Sequence, residues 1–162
     1  MRPWYFITFH TYGTRLHGHH KGSVDRDHNT PGTRFLSEHQ ARHSSAFSRL
    51  KHEPTLLTPL AASVVDRTIR EVCAHRGWTI RALNVRSNHV HIVTGAGKSP
   101  ELAMNSFKSW ATRRLVEGGH FQREHRIWSR HGSTRWVTTE ESLASAIEYV
   151  EKMQGLPFAV SA

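Results

Sequence analysis

The segment Arg86-Ser87-Asn88-His89-Val90-His91-Ile92-Val93 constrains the fold more than any other stretch of the chain. Its β-branched residues favour an extended strand, in which successive side chains alternate between the two faces. Val90 and Ile92 therefore share one face and need a covering layer, which helices can supply. His89 and His91 share the other face, left open, with ring nitrogens close enough to hold one metal ion. In a chain with 14 histidines, a bare pair two residues apart reads first as two surface side chains. The strand context, the polar Asn88 just before it and a tyrosine-bearing helix further on turn the pair into a candidate site.

The rest of the chain supplies partners for this strand. Trp4 to Thr11 reads as a first, central strand, with Tyr5, Ile7 and Phe9 on one face and Phe6 and Thr8 on the other. Residues 13–36 break every period and form a long basic, His-rich loop, in which Arg15, Lys21, Arg26 and Arg34 suit phosphate contacts. Ser37 to His52 reads as a surface-lying helix. Thr58-Pro59 starts a stronger one, a hydroxyl cap followed by proline, with Leu60, Val64, Val65, Ile69 and Val72 as its apolar stripe and Gly77 as its stop. Trp78 to Val85 is a second strand, with Trp78, Ile80 and Ala82 on one face, and Arg86-Ser87-Asn88 turns it antiparallel into the histidine strand. Ser99-Pro100-Glu101 opens another helix, with Met104, Phe107, Ala111 and Leu115 buried, Lys108, Arg113 and Arg114 on its other faces, and Gly118-Gly119 after it. Ile127 to Val137 reads as a fourth strand interrupted by a loop at Arg130 to Arg135. Thr138 to Glu141 is a capping box with Thr138 as cap, and it starts a last helix with Leu143, Ile147 and Val150 on one flank and Tyr149 on another.

Strand, helix, strand, strand, helix, strand and a last helix form an α+β, ferredoxin-like order. The expectation is an antiparallel sheet with helices on one face and an appended carboxy-terminal helix carrying the tyrosine. The 162 residues suffice for a single domain with a real core. The formal charge of +9, from 22 Lys and Arg against 13 Asp and Glu, is spread along the chain and points to a nucleic-acid partner. The single cysteine, Cys73, excludes an intrachain disulfide and points to a reducing compartment. Neither a signal peptide nor a membrane-spanning run is read, so the expected location is the cytoplasm, with no membrane partner.

Two histidines on a central strand and a tyrosine on a late helix suit phosphoryl transfer to DNA. A divalent ion on His89 and His91 would polarise the scissile phosphate, and the phenol of Tyr149 would attack it. A tyrosine on an amphipathic helix is otherwise a packing residue, the role expected of Tyr5 and Tyr12. RSNHVHIV, the basic helix after it and IEYVEKMQG resemble the single-tyrosine HUH transposases, including their REP-associated branch. WYFITFHTYGTRLHG and HGSTRW resemble that group as well, so the likeness runs over nearly the whole chain.

The resemblance implies metal-dependent cleavage and strand transfer of single-stranded DNA, often beside a hairpin, as in DNA transposition. It implies a 5′-phosphotyrosine on Tyr149, with His89 and His91 as the other catalytic residues. The ion implied is magnesium or manganese, where imidazole ligands alone would suggest zinc. Many members carry a glutamine ligand four residues beyond the tyrosine. Here that position is Met153, a poor donor for a hard ion, and the third metal ligand is assigned to Gln154, with water, Glu151 or a plain helix cap as the alternatives. On a regular helix Gln154 lies about 140° around the axis from Tyr149, so the assignment needs an irregular last turn before Gly155 and Pro157. Arg130, His131 and Arg135 are read as phosphate contacts on the strength of the resemblance. Lys108, Arg113 and Arg114 read equally as a DNA-facing stripe or a solvated face. A homodimer sharing its sites is expected, or a self-contained monomer as in the REP-associated branch. The competing readings are a non-cleaving or host-adapted DNA-binding protein that recognises hairpin or palindromic repeats, and a small-substrate hydrolase.

Overall fold

The computed structural model describes residues 3–14, 53–97 and 99–159. Arg15, most of the 13–36 loop and the helix expected over Ser37 to His52 lie outside the described residues. Along the described chain run β1 (Trp4–Thr11), α1 (Pro59–Arg76), β2 (Thr79–Val85), β3 (His89–Gly95), α2 (Pro100–Glu117), β4 (Trp128–Val137) and α3 (Glu140–Lys152). The strands form one sheet in the order β2-β3-β1-β4, every neighbouring pair antiparallel, which is the ferredoxin-like arrangement.

Local chemistry starts and stops the helices. Thr58 and Ser99 each accept a hydrogen bond from the backbone N–H three residues on, at 3.2 Å, and a proline follows each of them. Gly77 closes α1 in the left-handed region (φ 64°), which a side chain would strain. At α3 the cap is Thr139 with Ser142 as its partner, one residue later than the Thr138–Glu141 box expected. The hydroxyl of Ser142 reaches back to the Thr139 N–H at 3.1 Å, a bond that a glutamate at its position would ordinarily make.

The two faces of the sheet are covered differently. Tyr5, Ile7, Phe9, Val85, Val90 and Ile92 are buried beneath α1 and α2, against Val65, Ile69, Met104, Phe107, Ala111 and Leu115. Burying each such large apolar side chain contributes roughly 1.5–3 kcal/mol. Leu60, expected in the stripe of α1, is 64% exposed instead. On the opposite face α3 covers the β2–β3 side, with Leu143 and Val150 buried against Ala82 and Val93 and flanked by Trp4, Phe6 and Ile147. The appended helix thus lies on the other face of the sheet from α1 and α2.

Irregularities in the ladder correct two readings. Ile80 pairs with Thr94 and Ala82 with Val93, so Arg81 is an extra residue; the bulge sends Ala82 to the face of α3, away from Ile80. The interruption expected at Arg130 to Arg135 is instead part of one continuous strand. A Cβ at Gly132 would lie 2.5 Å from both Met104 Sδ and the Thr8 carbonyl oxygen, so the glycine lets β4 pass beneath α2 while paired with β1. The register shifts between Phe9 and Thr11, leaving the stretch between Trp128 and Gly132 out of step with β1. Lys108 fills that gap: it is buried, and its ammonium donates to the carbonyls of Ser129 (2.9 Å) and His131 (3.1 Å). It was expected on an outward face of its helix. Among the described residues no buried side-chain nitrogen or oxygen lacks a hydrogen-bond partner, and no helix is long and apolar enough to cross a membrane.

Candidate active site

The face of β3 opposite α1 and α2 carries His89 and His91, with ring centroids 4.6 Å apart. His91 is buried and His89 half-buried. The ladder places Thr8 and Asn84 on either side of His91, and His10 beside His89 with the rings 5.6 Å apart. Thr8 Oγ1 lies 2.8 Å from His91 Nδ1, and Asn88 Oδ1 lies 2.6 Å from His89 Nδ1.

Tyr149 reaches this face from α3. Its ring meets those of His91 (5.4 Å) and Phe6 (5.9 Å) edge-on, and the side chain remains 43% exposed. The helix is pinned next to the tyrosine, because the amide of Asn84 donates to the Val150 carbonyl at 3.0 Å. Histidines and tyrosine of a single chain are therefore already adjacent.

Gln154 arrives by a different route. The helix ends at Lys152, Met153 caps it, and Gly155 takes a positive φ of 76° that turns the chain. The guanidinium of Arg86 holds the Leu156 carbonyl and lies over the Phe158 ring, drawing the tail across the β2–β3 turn. Gln154 is outside the helix, so the angular argument against it lapses, and its Oε1 stands 3.3 Å from His89 Nε2.

The donors fit a divalent ion. A neutral imidazole carries one N–H, yet His89 faces an oxygen acceptor at each nitrogen, Asn88 Oδ1 and Gln154 Oε1. With the hydrogen on Nδ1, at the shorter contact, Nε2 would present its lone pair toward the Gln154 amide oxygen. A cation shared between them would suit both. Among the described residues no group of three His, Cys, Asp or Glu is placed to hold a metal; the donors that would be offered to an ion here are two imidazoles and an amide oxygen.

The remaining predicted residues are scattered. Arg135 is exposed and pairs with Phe6, which puts it on the face of the histidines, and Ser133 there pairs with Thr8. Arg130 and His131 are exposed on β4. Arg113 and Arg114 belong to α2, across the sheet, where Arg113 pairs with Glu117 at 3.5 Å and Arg114 with Glu71 at 3.7 Å. Lys108 is committed to the β4 carbonyls and is corrected from a DNA contact to a buried strut. Thr8, Asn84 and His10 escaped the sequence reading. Thr8 was already legible on the open face of β1, but its pairing with His91 was not.

Residues 47–153 match the family model described as "Transposase IS200 like". No curated protein shows significant sequence similarity to the chain. Among solved structures the chain is similar to a REP-associated tyrosine transposase bound to a REP hairpin, at 10% identity and a TM-score of 0.49 over 92% of this chain and 64% of that one. The chain thus spans less than two thirds of that protein's length. It is also similar to a candidate transposase from Deinococcus radiodurans R1, at 16% identity and a TM-score of 0.45 over 94% of this chain and 92% of that one.

Proposed function

The chain belongs to the IS200-like transposase family, and we propose that it cleaves and rejoins single-stranded DNA beside a hairpin through a covalent 5′-phosphotyrosine on Tyr149. The observation that carries this reading is the juxtaposition of Tyr149 with His91 at 5.4 Å, with His89 and Gln154 on the same face. The partly exposed phenol can reach a phosphate in solvent, whereas a packing tyrosine would be closed off.

His89, His91 and Gln154 would hold a magnesium or manganese ion, which when bound supplies positive charge beside the scissile phosphate. The other steps belong to the chain and the DNA. The phenolic oxygen of Tyr149 attacks phosphorus and gives up its proton to solvent. The bond from phosphorus to the 3′ oxygen breaks, and that oxygen takes up a proton to become a 3′-hydroxyl. The phosphotyrosine retains the energy of the broken phosphodiester, so a 3′-hydroxyl can later displace the tyrosine and rejoin the strand without ATP. Arg135, on the same face, would meet the phosphate backbone, with Arg130 and His131 along the same strand. One chain carries all these groups, which supports a self-contained site whether or not two copies associate. A DNA-processing role fits a cytoplasmic protein.

The test is a labelled single-stranded oligonucleotide carrying a hairpin, incubated with the protein and Mg2+ or Mn2+. The wild-type chain should become covalently attached, and Tyr149→Phe should not, with affinity nearly unchanged because only the phenolic oxygen is lost. Attachment to the Phe variant would remove Tyr149 as nucleophile. Hairpin binding without any covalent product in the wild type would favour a non-cleaving DNA-binding protein.

A further inference from the structure

Each histidine of the site meets a neutral side-chain oxygen at the same ring nitrogen, His91 from the neighbouring strand and His89 from the residue just before it. Thr8 Oγ1, from β1, stands 2.8 Å from Nδ1 of His91, and Asn88 Oδ1, from the β2–β3 turn, stands 2.6 Å from Nδ1 of His89. We propose that Thr8 and Asn88 are positioning residues that fix both imidazoles in the Nδ1–H tautomer, so that both Nε2 atoms serve the space shared with Gln154 and Tyr149. The inference deepens the reading of the site given above and rests on it.

The two grips differ chemically. An amide oxygen only accepts, so Asn88 Oδ1, the nearer of the two amide oxygens beside His89, favours a proton on Nδ1. A hydroxyl either accepts or donates, so Thr8 selects the Nδ1–H form of His91 only by acting as acceptor. Both groups are themselves held still. Thr8 is fixed opposite His91 by the β1–β3 ladder, and its branched side chain has few rotamers to lose. The backbone carbonyl of Asn88 accepts from Thr11 N (2.9 Å), Thr11 Oγ1 (3.3 Å) and Thr14 Oγ1 (3.3 Å), tying the turn to the end of β1. A histidine presents Nε2 to a ligand when its Nδ1–H is engaged in this way, and the oxygen that engages it sets ring orientation and basicity.

The experiment uses the full chain. Proton–nitrogen correlation spectra of the imidazole rings in the metal-free protein report the tautomers, and calorimetric titration with Mn2+ alone reports affinity. The wild type should show both rings as Nδ1–H. Thr8→Val should move His91 toward the Nε2–H form, leave His89 unchanged and weaken Mn2+ binding about tenfold or more. Thr8→Ser should restore both readings, which a merely structural role for the threonine would not require. Asn88→Ala should do to His89 what Thr8→Val does to His91.

A wild-type spectrum with either ring protonated on Nε2 overturns the proposal, and that measurement needs no variant to fold. So do tautomers that stay put in Thr8→Val and Asn88→Ala, or Mn2+ affinities that stay within about twofold while the tautomers move. If the wild type binds no Mn2+ but the tautomers shift as described, the metal reading fails and the positioning role stands.

Discussion

Lys108 is a positive charge in a place built for carbonyls. Its ammonium is buried beside the Phe9 ring and satisfies two β4 oxygens, and burial pushes its pKa down from 10.5 to about 8. A base whose folded pKa is lowered binds fewer protons than the unfolded chain between those two values. Stability attributable to Lys108 therefore rises with pH from about 8 to about 10.5, with the charge penalty complete below that window and absent above it. The gap corresponds to at most about 3 kcal/mol. Cys73 works the other way: burial holds its thiol up at about 11, against an ordinary 9.0, so its contribution falls as pH rises between those values. Comparing the wild type with Lys108→Met cancels the cysteine. The wild type should gain on the Met variant in unfolding free energy between pH 8 and 10 as measured by chemical denaturation, and a flat difference would refute the burial argument.

At the scale of the element, α3 has separable ends. Its amino terminus is capped by Thr139 and Ser142, Leu143 in its first turn and Val150 in its last press on the sheet, and its carboxyl end delivers Tyr149 and then Gln154. The cap faces solvent and touches nothing in the site. Thr139→Ala should cost about 1 kcal/mol of stability, the usual loss for a hydroxyl cap, while Mn2+ affinity and covalent attachment stay near wild type. Loss of attachment at unchanged stability would mean that the start of α3 takes part in the site.

For the whole molecule, the decisive quantity is charge. The net +9 is carried partly by exposed arginines, and Arg130 and Arg135 lie on an edge strand of the sheet that carries the site. Such a surface binds DNA by displacing counterions. With six or more phosphate contacts, affinity for single-stranded DNA should fall by roughly three orders of magnitude between about 50 and 200 mM salt. A titration that is flat over this range would count against the basic surface as the DNA-binding face. Arg113 and Arg114 stand across the sheet in exposed ion pairs, so reversing their charge should flatten that dependence less than reversing Arg130 and Arg135.

What the sequence determined by itself was local. Alternation placed Ile7 and Phe9, Val90 and Ile92 in the core and His89 beside His91 on the other face, because side-chain direction in a strand depends only on parity. Capping chemistry located the starts of α1 and α2, because Thr58 and Ser99 bond to backbone three residues away. Only the tertiary structure decided what crosses between segments. Thr8 meets His91 across 83 positions and Gln154 meets His89 across 65, contacts set by strand register and by the turn at Gly155 rather than by any neighbour in the chain. Lys108 and Gly132 misled for the same reason. A lysine on a helix and a glycine among polar residues look like surface and loop until α2 is laid over β4, where the one fills a bulge and the other clears a path.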